Sequence, residues 1–231
     1  MLKAITIHTK LPLLVIILII SVFDSSAQKN QEPFIGLLEY KISARDTSLK
    51  DMLPSYPMVI YSNDTIIRKS NFTDQLGIQV VIQHMIMNKS YLLLEAAQKK
   101  YAIQTDLSKT ESDTIPSKYT FKKKCLTKKI LGMKAKRIMV SHPDFEEPIE
   151  FLYLKNIANK YNPVFKEMPG LPVKYSVYTP DGILDYQLVK ITEYTPDRDL
   201  FGIPSDYVRV SFDEFLEIVT SPENQKVFSP E

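Results

Sequence analysis

The feature that most constrains this chain is a cadence of short runs rich in Ile, Val, Tyr and Thr, recurring every 10 to 15 residues between turn-formers. Runs of that length and composition are strands, and short turns between them make antiparallel hairpins. The pattern predicts strands over 34–42, 58–62, 64–69, 78–87, 90–96, 100–105, 118–126, 129–141, 149–154, 173–179 and 183–193. Asn88-Lys89 separates two of these runs, and Pro180-Asp181-Gly182 puts Pro at a corner and Gly where positive φ is wanted. With only six glycines in the chain, each is expected where the backbone demands one. Helices are few: a short one over 47–53 stopped by Pro54, and one opened by Ser211-Phe212-Asp213-Glu214. The second has capping-box spacing, with Phe212, Phe215, Leu216 and Val219 on one face, Pro222 as its stop and a tail beyond. A sheet of some eleven strands must cover its apolar face, by closing on itself or by packing a lid over it. The expected fold is therefore mostly β, a curved antiparallel sheet with a few short helices. An outer-membrane barrel is the competing use of the pattern, but the strands are uneven and charge crowds both faces of several.

The N-terminus sets the expected compartment. Lys3 and Lys10 precede an apolar run over 11–23, broken only by Pro12 and Ser21, and Ser25-Ser26-Ala27 follows. That order reads as a secretory signal cleaved between Ala27 and Gln28. The run is shorter than the ~20 residues of a membrane-spanning helix. The expectation is a signal peptide over 1–27 and a single β-rich domain over 28–231, periplasmic or extracellular, with no transmembrane segment after cleavage. No cysteine near the cleavage point suggests a lipoprotein anchor. The formal charge of +2 drops to near neutral once Lys3, Lys10 and Asp24 are removed, so nothing points to nucleic acid as a partner. Cys125 is the only cysteine, which excludes an internal disulfide; it is expected to be a buried or half-buried strand residue without a redox role.

Chemistry-bearing motifs are sparse. The domain holds two histidines, His84 and His142, without metal-ligand spacing, and it lacks a nucleophile elbow, a P-loop or a dinucleotide fingerprint. Neither metal nor cofactor is expected, and no catalytic residue can be named. The sharpest charge feature is 114–143, which contains Lys122, Lys123, Lys124, Lys128, Lys129, Lys134, Lys136 and Arg137 and no acid. It reads either as a basic hairpin that meets anionic lipid headgroups, polysaccharide or an acidic partner, or as a solvated hairpin guarded against edge pairing and balanced by the acids that follow. Tyr40, Phe121, Met133, Tyr153, Tyr175, Tyr186 and Leu188 form a third group. They line an apolar groove if a lid leaves space above the sheet, and are core if it does not.

Four short motifs, in order, carry a resemblance. Gly36-Leu37-Leu38-Glu39-Tyr40-Lys41-Ile42 follows the signal, Lys128-Lys129-Ile130-Leu131-Gly132-Met133-Lys134 lies centrally, and Pro169-Gly170-Leu171-Pro172 and Leu200-Phe201-Gly202-Ile203-Pro204 follow. Together they resemble the secreted GLPGLI-type proteins of Bacteroidetes and their LolA-like relatives. Met133 stands where that family usually has tyrosine, Ala135 where cysteine is common, and tryptophan is absent. The resemblance implies a LolA/LolB-like open half-barrel with short helices over its mouth, and no activity. In the third motif, Pro169 and Gly170 suit the two corners of a type II turn, which would hold Leu171 and Pro172 extended, with Leu171 facing either the core or a partner.

Three functions follow. The first is an exported cell-envelope binding protein, non-enzymatic, whose groove takes an apolar small molecule, a lipid or a segment of an outer-membrane or other envelope protein. The second is a structural or accessory envelope protein with a packed core and a basic docking hairpin. A secreted hydrolase assembled from distant residues is the third and has the least support.

Overall fold

The computed structural model describes residues 31–45, 57–73, 77–96, 98–106, 118–179 and 182–221. The signal reading, the 47–53 helix, Pro180-Asp181, Pro222 and the tail lie outside them. The strands are β1 (Ile35–Ala44), β2 (Met58–Asn63), β3 (Ile66–Thr73), β4 (Gly77–His84), β5 (Lys89–Ala96) and β6 (Lys99–Asp106). They continue with β7 (Thr120–Ile130), β8 (Met133–Ser141), β9 (Ile149–Leu154), β10 (Leu171–Thr179), β11 (Gly182–Glu193) and β12 (Val208–Ser211). All twelve lie in one sheet, ordered β12-β6-β5-β4-β3-β2-β1-β11-β10-β9-β8-β7. The fold is mostly β, as the cadence of runs predicts: one large open sheet, antiparallel except where β12 lies parallel to β6. Short 3-10 turns at Asn159–Tyr161 and Arg198–Phe201 and one helix, α1 (Phe212–Thr220), complete the described residues.

Two meanders make this order. Strands β1 to β6 pair successively, as do β7 to β11, and the β1–β11 ladder joins the two from Gly36↔Glu193 to Ala44↔Leu184. Along β1, Leu38, Tyr40 and Ile42 are buried while their neighbours are half-buried or exposed, the period of two that one buried face imposes. Gly36 is required at the join: its φ is +152°, and an added Cβ would lie 2.1 Å from the Thr192 carbonyl oxygen. Buried side chains of β1 to β3 and β8 to β11 form one core with Ile157, Ala158, Tyr161, Phe165 and Met168 from the β9–β10 connection. At the other end the sheet is covered on both faces. Helix α1 packs Phe215 against Leu92, Leu94, Tyr101 and Ile103, while Ile203 and Tyr207 pack against Val80, Ile82, Leu93 and Ala102. The capping box holds as predicted, with Glu214 donating its N–H to the Ser211 hydroxyl and returning its carboxylate to the Ser211 N–H.

Several expectations are corrected. The parallel strand β12 went unpredicted because four residues carry too short a period to read. The basic hairpin turns at Leu131-Gly132, not before Lys129, with φ of 50° and 77° at those residues, a type I′ turn. Strand β4 ends at His84, and the turn spans residues 85–88. Gly170 takes no positive φ, so the type II turn is not formed. It is glycine for a different reason: an added Cβ would sit 2.1 Å from the Leu154 carbonyl oxygen. Beside it Leu171 is fully buried at the start of β10, and its N–H donates to the Ile157 carbonyl at 2.9 Å. Cys125 is exposed, on a bulge of the edge strand β7 where the register slips between Lys124 and Thr127.

Leu171→Ala should cost about 3 kcal/mol in urea unfolding, the usual scale for truncating a fully buried leucine. Gly170→Ala should destabilise comparably, because the obstacle is backbone. An unchanged midpoint for Gly170→Ala would disprove the close approach of β9 and β10.

Candidate functional site

The apolar set expected to line a groove is brought together, beneath a covering of the chain's own residues. Tyr40, Tyr153, Tyr175 and Leu188 are buried, and Phe121, Met133 and Tyr186 are half-buried against the same core. Phe165 of the β9–β10 connection sits among them, its ring 5.7 Å from Phe121, 5.4 Å from Phe151 and 6.1 Å from Tyr175. Tyr175 and Tyr186 stack at 4.8 Å across the β10–β11 pair. Two of the phenols are tied to buried polar atoms. Tyr40 donates to the Pro172 carbonyl at 2.7 Å, and Tyr175 accepts from Asn162 Nδ2 at 3.1 Å. Burial pushes both phenols well above their ordinary range, so they stay neutral.

Asp64 pins the connection down. It occupies the β2–β3 turn at φ 73°, a left-handed conformation that Asp tolerates better than most residues. Its carboxylate accepts from Lys160 Nζ at 2.7 Å and from the Tyr161 hydroxyl. Tyr161 in turn accepts the Phe34 N–H at 2.6 Å, which ties the residue preceding β1 into the network. Partial burial works to raise the Asp64 pKa, but the bonds from Lys160 and Tyr161 prevail and hold it below its ordinary value. The loop motif belongs to the same assembly: Pro169 offers its carbonyl to Gln31 Nε2 at 3.0 Å, and Leu171 and Pro172 are buried in the core.

The basic hairpin lies at the opposite margin, where β7 is the edge strand of the sheet among the described residues. Residues 122–129 are all exposed. Glu150 on β9 reaches Lys128 and Arg137, and although burial works the other way, those two bonds hold its carboxyl below the ordinary range. Asp144 instead lies 3.2 Å from His142. Lys122, Lys123, Lys124, Lys129, Lys134 and Lys136 make no ion pair among the described residues. The expected balance by the following acids is thus confined to one carboxylate. Leu126 and Leu131 stand exposed between these lysines. Leu131 also carries the positive φ of the turn, a conformation costing a residue with a Cβ roughly 1 to 2 kcal/mol.

A second cluster was not singled out from the sequence. Lys69 of β3 pairs with Ile60 and Val81 in register, on the face that also carries Ile67 and Gln83. It lines a partly open cavity of about 20 Å³ with Ile67, Val81, Gln83, Tyr161 and Asn162. Burial draws its ammonium down to about 8, and no carboxylate opposes the effect. Asn162 is fully buried, and its Oδ1 has no hydrogen-bond partner. The available signal was alternation: Ile67, Lys69 and Asn71 share one face of β3, so a lysine falls where the period calls for an apolar residue. The histidines sit apart. His142 is buried beside Tyr119, Phe145 and Tyr178, His84 ends β4 against Tyr91, and burial lowers the pKa of each.

These features define an open antiparallel sheet with a self-filled face, a basic free edge and a small polar cavity. No protein-family model and no curated protein matches the chain, so the GLPGLI-type resemblance rests on the order of its four motifs. Among solved structures, PNGF-II in its P21 and C2 space groups is similar at 14% identity, with TM-scores of 0.47 and 0.44. The matches cover 79% and 78% of this chain but 33% and 31% of those chains, so this chain spans about a third of their length. Likeness at that level carries no argument about function.

A carboxylate whose folded pKa is depressed contributes stability that is present above its unfolded pKa and lost as pH falls through the folded value. The thermal melting temperature should therefore fall as pH drops below about 4, the ordinary carboxylate range. Asp64→Asn, which keeps a residue tolerant of the turn, should lower the neutral-pH melting temperature and flatten that acid limb. An acid limb identical to wild type would show that Asp64 does not secure the connection.

Proposed function

We propose that this chain is an exported accessory protein of the cell envelope that docks through its β7–β8 hairpin onto an anionic lipid surface. The supporting observation is the set of six lysines on the hairpin of edge strand β7 and its neighbour β8, without acidic partners among the described residues, beside exposed Leu126 and Leu131. Charge near an anionic membrane is worth about 1 kcal/mol per lysine, and exposed leucines add burial in the interface. The N-terminal signal pattern supports export, and the motif resemblance fits a secreted protein of this kind. Filling of the concave face supports the packed-core reading over an open groove. An apolar ligand on that face would have to displace Tyr161, Phe165 and Met168 and break the bonds to Asp64. The exposure of Leu131 and its left-handed backbone at the hairpin tip support a role for it in docking.

Flotation with vesicles containing phosphatidylglycerol tests the reading. Binding should be strong at about 0.05 M salt and weaken at least tenfold by about 0.5 M, where charges separated by more than a few ångströms are screened. The triple variant Lys122→Glu, Lys124→Glu, Lys129→Glu should lose binding without loss of stability. Binding that does not respond to salt would overturn the proposal. Leu131→Asn separates docking from folding. It suits the type I′ turn better, so it should raise stability by roughly 1 kcal/mol while weakening vesicle binding.

A further inference from the structure

The turn between β4 and β5 exposes two large apolar side chains in succession. Tight turns draw on Gly, Asn, Asp, Ser and Pro, yet this one presents Ile86, 78% exposed, beside Met87, 55% exposed. The turn itself is fixed. Met85 packs against the core and donates its N–H to the Thr65 carbonyl at 3.0 Å, and Asn88 takes the left-handed φ of 50°. The strand registers place this turn at the same end of the sheet as the tip of the basic hairpin. Ile66 pairs with His84, Ile35 with Asn63, Gly36 with Glu193, Leu171 with Leu154 and Lys136 with Tyr153, so the β2–β3, β4–β5 and β7–β8 turns project the same way. Of the ten large apolar side chains exposed among the described residues, six lie at this end: Ile35, Ile86, Met87, Leu131, Tyr194 and Phe212. Whatever covers that end must reach turns that are far apart. Seven strand spacings separate the Ile86 turn from the Leu131 turn, roughly 34 Å measured along the sheet.

We propose that this end of the sheet meets the bilayer, with Ile86 and Met87 entering the headgroup–acyl boundary as a second anchor in addition to the hairpin tip. The inference rests on the docking reading above and fixes which way the molecule stands on the surface. A protein partner is recognised by a contiguous apolar patch, whereas these side chains stand on separate turns with the Asp64–Lys160 ion pair between them. A bilayer surface is continuous and meets them together. Charge and apolar area are divided between the two turns. Lys129 and Lys134 pair in register next to the Leu131 turn and meet anionic headgroups. Lys89, beside Met87, faces Asp106 across the β5–β6 pair, so the second turn adds apolar area and little net charge. Lys122 and Lys124 stand further down β7 and act at longer range. Two separated contacts hold one orientation, where the hairpin alone would let the molecule swing.

A fluorophore on a single cysteine tests this orientation. In a Cys125→Ser background the label is placed at Ile86→Cys and, as control, at Ile78→Cys, a position 65% exposed at the opposite end of the same strand. The vesicles contain phosphatidylglycerol and a lipid carrying a nitroxide on its acyl chain, at about 0.05 M salt. On adding vesicles, the Ile86 label should shift to the blue and lose roughly half its emission or more, and the Ile78 label should do neither. Equal responses at the two positions, or quenching at Ile78 alone, would overturn the proposal. The unlabelled double variant Ile86→Ser, Met87→Ser should keep the wild-type melting temperature and float with vesicles about fivefold more weakly. Unchanged flotation would remove the second anchor. No vesicle binding by the wild-type chain overturns the docking reading and this inference together, whereas salt-dependent binding with a silent Ile86 label overturns this inference alone.

Discussion

The ladder between β1 and β11 is the interaction on which the rest of the molecule depends. Each meander on its own is a run of neighbouring hairpins, cheap in chain entropy and easily formed. Joining them commits strands from opposite ends of the described chain, and that join creates the continuous apolar face. Tyr40 opposite Leu188 and Ile42 opposite Tyr186 lie on the seam. Gly36 permits the close approach that seats its upper end. Once the seam exists, the β9–β10 connection has an apolar face to cover, and Asp64 on the far meander can reach Lys160 and Tyr161.

The sheet treats its two ends differently. Around the seam it is covered on its inner face by an irregular connection, whose backbone polar groups are satisfied one at a time: the Ile157 carbonyl by Leu171, the Phe165 carbonyl by Asn159 and Met168. Around β4 to β6 it is buried on both faces, and the strands lose clean alternation, as Leu92, Leu93 and Leu94 in succession show. Lys69 and Asn162 lie near the border between the filled region and the helix-covered region, where neither covering element supplies a counter-ion.

Much of this architecture was legible because hairpin proteins write their strands locally. Alternation located β1, β2 and β9 to within a residue or two, and the Ser211 and Glu214 pair announced α1. Errors came where local pattern and tertiary need part company. The 169–172 segment has turn composition, yet its glycine answers a neighbour's carbonyl and its leucine a core that sequence cannot show. Cys125 reads as apolar in a strand, but β7 is an edge with no neighbouring strand on its outer side among the described residues. The hairpin turn was misplaced because Leu131 is an unusual first residue for a type I′ turn. The seven apolar residues meet in one core, and whether such a set lines a space or fills one is decided by the 155–170 connection, which has no periodic signature.

The two margins of the sheet are unequal, and this governs how copies of the chain can meet. On one side the last strand is β12, four residues long and immediately capped by α1; on the other β7 offers eleven residues of unpaired backbone behind a fence of like charge. Strand addition needs two long margins per molecule to propagate, and the described residues present one. If salt or an acidic counter-surface neutralised the fence, two copies could pair β7 to β7, and growth would stop there, because each would have spent the one long margin among its described residues. The geometry thus turns a sheet edge that could seed fibres into one that ends at a closed pair.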